Sequence, residues 1–254
     1  MAAGMSPAAL EARVLDAWPA RERATLHGWT LLADGGVTGR VNAIVPLAFA
    51  GADMDAALDD AVAWQRARAT RPCVKIADGA FAPEDLPARL AARGWRPATR
   101  TLVMTAPIAE ARLRPGTPSA IELTPDYLPE IDAIVRETAH SDAEWAERAG
   151  IARRAPAPRR FALLKADGGL AALGLCVVRD GWAGIFLMRT AAPHRRKGLA
   201  REILAALLAW SETAGATHAY LQVEADNAPA VALYRSAAFE TAYSYSYWRP
   251  EAGP

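Results

Sequence analysis

Pro193-His194-Arg195-Arg196-Lys197-Gly198-Leu199-Ala200 is the stretch on which the reading of this chain turns. An apolar run at 182–189 precedes it and a strongly apolar run at 199–214 follows, so strand, loop and helix succeed one another directly. The N-terminus of such a helix leaves its first backbone N–H groups without partners, and those donors together with the helix dipole suit a phosphate. Gly198 lets the backbone approach the anion closely, where a side chain would obstruct it. Ala200 keeps the first turn slim, and Arg195, Arg196 and Lys197 surround the loop with positive charge. The dipole contributes only ~0.3–1 kcal/mol when exposed, so amide hydrogen bonds carry most of the grip. Taken alone, a basic cluster before a helix reads more often as a solvated surface.

A second segment changes that balance. Leu221-Gln222-Val223-Glu224-Ala225-Asp226-Asn227-Ala228-Pro229-Ala230-Val231-Ala232-Leu233-Tyr234, followed by Ala238-Phe239, reads as a strand leading into a helix. The two segments together resemble the GNAT superfamily of acyl-CoA-dependent N-acyltransferases. Its phosphate loop, Arg/Gln-x-x-Gly-x-Gly/Ala, is matched by Arg195, Gly198 and Ala200. Its second signature, Asn-x-x-Ala-x-x-Leu-Tyr-x-x-x-Gly-Phe, is matched by Asn227, Ala230, Leu233, Tyr234 and Phe239. Ala238 stands where that signature has glycine, a departure expected to alter a helix C-cap. Ala192 stands where a proline usually precedes the loop, with Pro193 next.

The resemblance covers residues 120–250 and implies an α/β fold with a mixed sheet, acetyl-CoA as the acyl donor, and a cleft where residues 185–190 splay from residues 219–223. Met188, Arg189 and Thr190 would line the pantetheine arm, with backbone groups of Met188 and Thr190 pairing with its amides. Amides from Arg196, Lys197, Gly198, Leu199, Ala200 and Arg201 would hold the pyrophosphate, with Arg195 beside them. Asn227 would reach the pantetheine or phosphate region, or cap the helix it precedes, or do both. Tyr234 occupies the place of the family's proton donor to the departing thiolate, and a phenol of pKa about 10 is protonated at neutral pH. A backbone N–H near Met188 would stabilise the oxyanion. For the general base Glu224 is the first choice, ahead of His140, Asp142 and Glu144. Tyr243, Tyr245 and Tyr247 alternate along the last strand and either wall an acceptor pocket or pack within the sheet.

Upstream, residues 7–18 read as a helix, 26–32 and 41–47 as strands about an Asp34-Gly35-Gly36 turn, 54–68 as a helix, 73–76 as a strand, 83–93 as a helix and 99–104 as a strand. Residues 107–119, rich in proline, read as a linker. This gives a substrate-side unit at 1–108, a linker at 109–119 and a catalytic unit at 120–254. Leu86-x3-Leu90-x3-Gly94-Trp95 parallels Ala230-x3-Tyr234-x3-Ala238-Phe239, which suggests a tandem arrangement with a truncated, degenerate GNAT-like first half. That half lacks a phosphate loop, and Leu90 stands where Tyr234 does, so one donor site is expected. Arg40 and Asn42 either touch an acceptor carboxylate or close a hairpin.

Composition bounds the rest. The 254 residues are 52% hydrophobic and 22% charged with a net charge of +1, which excludes disorder as the main state. Lysine stands only at Lys75, Lys165 and Lys197, an arginine bias expected of GC-rich coding. The interspersed acids argue against nucleic acid as a partner. The longest uncharged stretch, residues 41–52, falls short of the ~20 that span a bilayer, so no membrane partner is expected. Glu11, Arg13 and Asp16 interrupt any signal-like start, so a cytoplasmic location is expected. Cys73 and Cys176 alone make neither a disulfide framework nor a zinc site, so no metal is expected. The leading expectation is an N-acetyltransferase acting on a primary amine of a small molecule or amino acid, possible also as a homodimer. Its alternatives are a protein N-terminal or lysine acetyltransferase, and an acyl-CoA sensor without turnover.

Overall fold

Two consecutive residues with positive φ, His27 (52°) and Gly28 (83°), fold residues 22–33 back on themselves as β1 (Glu22–Leu26) and β2 (Trp29–Ala33). The single strand expected at 26–32 is therefore a hairpin. Its turn has the positive-φ geometry that matches strand twist, and a Cβ at Gly28 would lie 3.0 Å from the Ala48 carbonyl oxygen. The structure, a computed structural model, describes residues 5–111, 113 and 121–251. Most of the expected linker at 109–119 lies outside these residues.

Ahead of the hairpin is α1 (Pro7–Ala17), where Ser6 accepts a hydrogen bond from the Ala9 N–H and Pro7 sits in the first turn. After it come β3 (Ile44–Val45), α2 (Met54–Arg66), β4 (Val74–Ala77), α3 (Leu86–Ala92) and β5 (Trp95–Pro107). Asp53 caps α2 by accepting from the N–H groups of Asp55 and Ala56. The second half runs β6 (Ile121–Thr124), α4 (Pro129–Glu137), α5 (Asp142–Arg154), β7 (Arg159–Ala166), β8 (Gly169–Arg179), β9 (Trp182–Thr190), α6 (Leu199–Thr213), β10 (His218–Glu224), α7 (Ala228–Ser236) and β11 (Glu240–Pro250).

All of these strands join one mixed sheet in the order β1-β2-β3-β4-β11-β5-β10-β9-β8-β7-β6. Reading inward from the two edges, β1, β2, β3 and β4 mirror β7, β8, β9 and β10. The parallel pair β3/β4 matches the parallel pair β9/β10. At the centre the halves exchange their last strands. β11 lies between β4 and β5, and β5 lies between β11 and β10, every contact antiparallel. This is a tandem GNAT fold whose first half lacks a counterpart of β6. The exchanged strands β5 and β11 are 13 and 11 residues long, so the seam between the halves is extensive.

Alternation along β7 and β8 sorts the core into two layers. Phe161, Leu163, Leu173, Leu175 and Val177 face α1, α4 and α5. Ala162, Leu164, Ala172, Cys176 and Val178 face α6 and α7. Helix α1 belongs to the first half yet packs on the second, its end marked by Trp18 stacked on Phe186 at 5.1 Å. Beneath it the Lys75 ammonium meets the Glu11 carboxylate at 2.5 Å, and Tyr243 donates to the same carboxylate at 2.8 Å. No helix among the described residues is long and apolar enough to cross a membrane.

Candidate active site

The site begins at a bulge. Leu173 pairs with Arg189 but Leu175 pairs with Phe186, so Leu187 and Met188 together oppose Gly174. Leu187 takes a φ of 51°, and a Cβ at Gly174 would lie 2.7 Å from the Met188 sulfur and 2.6 Å from Ile203 Cγ2. Such a bulge bends its strand. Pairing of β9 with β10 accordingly stops at Ile185 and Leu221, while β9 runs on to Thr190 and β10 to Glu224. The strands splay there, as the resemblance implies.

Beyond β9, residues 192–194 make a short turn, and Arg196 and Gly198 take φ values of 61° and 85°. Gly198 is the N-cap of α6 and offers no side chain to cap it. The Arg201 and Glu202 N–H groups donate to the Gly198 carbonyl, so the amides from Arg196 to Ala200 are the donors left to a ligand. A Cβ on Gly198 would meet nothing within 4 Å, so the space over the loop is open. Arg195, Arg196 and Lys197 are exposed around it. Open amides, a positive dipole end and three cations fit a pyrophosphate.

The two sides of the bulge point to opposite faces. Met188 packs with the α6 layer, as does Leu199. Arg189 faces the other layer, and its Nη1 donates to the Met188 carbonyl at 2.9 Å. Arg195 Nε lies 3.4 Å from the Thr190 carbonyl. Each carbonyl keeps a second lone pair for a pantetheine amide.

Helix α7 brings in Tyr234, which is buried and makes no hydrogen bond through its hydroxyl among the described residues. Burial raises its pKa above the ordinary tyrosine value, opposed by the nearby Arg189 and Arg40. Asn227 is exposed and accepts from the Ala230 N–H at 3.3 Å, so it caps α7. Ala238 ends that helix at φ 60°, with its N–H on the Arg235 carbonyl and the Phe239 N–H on the Tyr234 carbonyl. This is the conformation for which the family's glycine is suited. Ala238→Gly is expected to raise stability by ~1 kcal/mol. A urea midpoint that does not move would contradict that strain.

Residues of both halves meet beside this cleft. Residues 34–42 form a strap held by Asn42, which accepts from the N–H groups of Asp34 (2.7 Å) and Gly36 (3.0 Å) and donates to the Thr38 carbonyl (2.8 Å). Glu147 of α5 accepts from the N–H groups of Val37 and Thr38 and from Asn42 Nδ2 at 2.6 Å. Asn42 is thus a clamp, while Arg40 reaches the Tyr245 hydroxyl. Tyr245 donates to Gln222 Oε1 at 2.8 Å, leaving Gln222 Nε2 buried without a partner among the described residues. Tyr247 packs edge-on to Tyr245 and lies under Gly39, whereas Tyr243 serves the buried Glu11.

Of the candidate bases, Glu224 is exposed at the end of β10 and near Arg148. Glu144 is taken up by the His140 N–H at 2.6 Å and by Arg148 at 2.5 Å. Asp142 pairs with Arg136, and His140 is exposed. Sequence reading missed Arg148, Gln222 and Glu147, whose relevance depends on partners far away in the chain. No group of side chains that could hold a metal occurs among the described residues.

Known proteins share this plan. The family model described as "Probable histone acetyltransferase Rv0428c C-terminal" matches residues 8–248. The chain is 27% identical over 236 residues to the "Uncharacterized N-acetyltransferase YobR" of Bacillus subtilis (strain 168), covering 91% of this chain and 93% of that protein. It is 30% identical over 231 residues to the "Probable histone acetyltransferase Rv0428c" of Mycobacterium tuberculosis (strain ATCC 25618 / H37Rv), covering 85% of this chain but only 65% of that one. Among solved structures, a GCN5-related N-acetyltransferase from Kribbella flavida superposes with a TM-score of 0.72 at 20% identity, covering 98% of both chains. A tandem GNAT protein from the clavulanic acid biosynthesis pathway superposes with a TM-score of 0.65 at 16% identity, over 98% of this chain and 89% of that one. With its bulged, splayed strand and its open loop at the head of α6, this chain belongs to the GNAT superfamily, in the family of the Rv0428c C-terminal region, and is an acyltransferase.

Proposed function

We propose that this chain transfers an acetyl group from acetyl-CoA to a primary amine of a small molecule or amino acid, by direct attack of the amine. The observation that carries the reading is the unpartnered Tyr234 hydroxyl beside a splayed β9/β10 cleft, with the amide-lined loop at the head of α6. When bound, the donor supplies an acetyl thioester whose sulfur leaves as a thiolate as the new C–N bond forms. The loop amides from Arg196 to Ala200 hold its pyrophosphate, and the backbone of Met188 and Thr190 aligns its pantetheine arm. Tyr234 holds a proton at its hydroxyl oxygen for the departing sulfur, and burial keeps that proton in place at neutral pH. Glu224 at the mouth takes the proton that the amine must lose. A peptide-like α-amine of pKa about 8 is roughly 10% neutral at pH 7, and a more basic amine, such as that of a free amino acid, depends more on this base. The strap clamped by Glu147 covers the acceptor side from the first half, which favours a small acceptor over an extended peptide.

Gly198→Glu tests this reading. It places negative charge and a side chain over the loop, at a φ that a non-glycine residue adopts only with strain. Titration calorimetry with acetyl-CoA is expected to show binding by the native protein and at least ~10-fold weaker binding by the variant, as loss of ~1.4 kcal/mol or more implies. Equal affinity of the two proteins, or no binding by either, would remove the loop from the mechanism.

A further inference from the structure

Arg40 of the strap, Arg148 of α5 and Arg189 of β9 converge on the cleft from three separate elements. Arg40 lies close enough to Arg148, and both lie close enough to Arg189, to disfavour the charge of Arg148 and Arg189. Against its burial, Arg40 itself is held above the usual arginine range by the Tyr245 and Tyr247 hydroxyls and by Glu11. Arg148 has a counter-ion in Glu144 at 2.5 Å. Arg40 and Arg189 make no ion pair with any carboxylate among the described residues. Arg40 has the neutral Tyr245 hydroxyl, and Arg189 has the Met188 carbonyl, with its Nε wholly buried and unpartnered.

Apart from Glu224, exposed near Arg148, the nearby acids are committed elsewhere. Glu147 holds the strap, Glu144 serves His140 and Arg148, and Glu11 serves Lys75 and Tyr243. Many other arginines of this chain are paired, among them Arg13 with Asp180, Arg93 with Asp59 and Arg153 with Asp132. Arg189 has a fully buried, unpartnered Nε and no carboxylate partner among the described residues, and Arg40 has no carboxylate partner there either, so the cleft offers positive charge that an anion arriving from outside would offset. Burial, with Arg148 and Arg40 beside it, holds Arg189 down to about 10. An incoming anion would relieve that repulsion.

We propose that the acceptor carries a carboxylate as well as its amine, and that Arg40, Arg148 and Arg189 form the subsite that binds it. This rests on the acetyl-transfer reading above. The loop at the head of α6 is a different anion site. Met188, at the bulge, packs with the α6 layer, whereas Arg189 faces α5 on the opposite layer. Both Arg189 and Arg40 lie near Tyr234, so an acid held by them sits beside the proton donor. Glu224, exposed near Arg148, then faces the other end of the same small zwitterion and attracts its ammonium group. Arginine suits this task because its planar fork matches a carboxylate in two hydrogen bonds.

The test compares glycine, alanine, leucine, phenylalanine and glutamate with their α-carboxamides as acceptors, with free thiol release as the readout. The acids are expected to exceed the amides by ~50-fold or more in kcat/KM, the ~2–3 kcal/mol of a lost charge-assisted bidentate contact. Arg40→Gln should cut that ratio at least tenfold through the acceptor KM, leave the KM for acetyl-CoA within twofold, and be partly rescued by Arg40→Lys. Thermal shift gives a second readout, in which the acids and not the amides raise the Tm of the native protein and fail to do so in Arg40→Gln. Equal turnover of acids and amides, turnover confined to amines without an acid group, or neither turnover nor a Tm shift from any acid would overturn the proposal while acetyl-CoA binding stands. An arginine-dependent preference for succinyl-CoA over acetyl-CoA would overturn it too, by assigning the carboxylate to the donor. Failure of the native protein to bind acetyl-CoA would instead overturn the acetyl-transfer reading beneath it.

Discussion

Tyr234→Phe is expected to lower kcat by ~10²- to 10³-fold, the range for loss of a positioned general acid. Acetyl-CoA affinity should change less than twofold, because the loop amides and β9 backbone that grip the donor are untouched. The substitution removes a hydroxyl that makes no hydrogen bond among the described residues from an otherwise buried side chain, so folding should be little affected. The ring keeps its packing on Phe239, at 6.2 Å between centroids. Burial raises the tyrosine pKa, so the donor form persists as pH rises past its ordinary value. The alkaline side of the native kcat profile should therefore remain flat through pH 9, and any acidic limb should report the amine and its base. A Tyr234→Phe enzyme with native kcat in a stopped thiol assay would strip Tyr234 of its role.

The second large effect concerns stability. Lys75 is 2% exposed and Glu11 0% exposed, and their ion pair joins β4 to α1 with Tyr243 of β11 as third member. Lys75→Met leaves the Glu11 carboxylate buried with a single hydroxyl, which is expected to cost ~3–5 kcal/mol. For a chain of this size that lowers Tm by roughly 6–20 °C, read by calorimetry. Adding Glu11→Leu to Lys75→Met should recover most of the loss, because the isolated charge disappears with it. Equal destabilisation in the single and double variants would point to lost packing, including the Lys75 ammonium over the Tyr245 ring at 4.0 Å, and not to charge. The exchange of β5 and β11 makes one cooperative transition the expected form of that melt, since neither half completes its sheet alone.

The sequence by itself determined what is local. The loop from Arg195 to Ala200, the long helix behind it and the Asn227-to-Tyr234 helix are each set by adjacent residues: a glycine at φ 85°, a capping asparagine, apolar residues at helical spacing. Those few turns were enough to indicate the superfamily, and the α4–α7 and β7–β10 positions follow the pattern of apolar periodicity. The hairpin at 22–33 escaped because His27-Gly28 is a weaker turn signal than the Asp34-Gly35-Gly36 that follows, which the fold uses as part of a strap instead. Tertiary structure alone decided the rest. Nothing in an alternating strand names its neighbour, so the placement of β5 beside β10 and of β11 beside β4 depended on register across the whole sheet. The Asn42–Glu147 clamp joins residues 105 positions apart, and the three arginines meet only once strap, helix and bulged strand are assembled. An unpaired arginine in a sequence looks like any solvated one. Its cost, and so its meaning, exists only after folding has taken the water away.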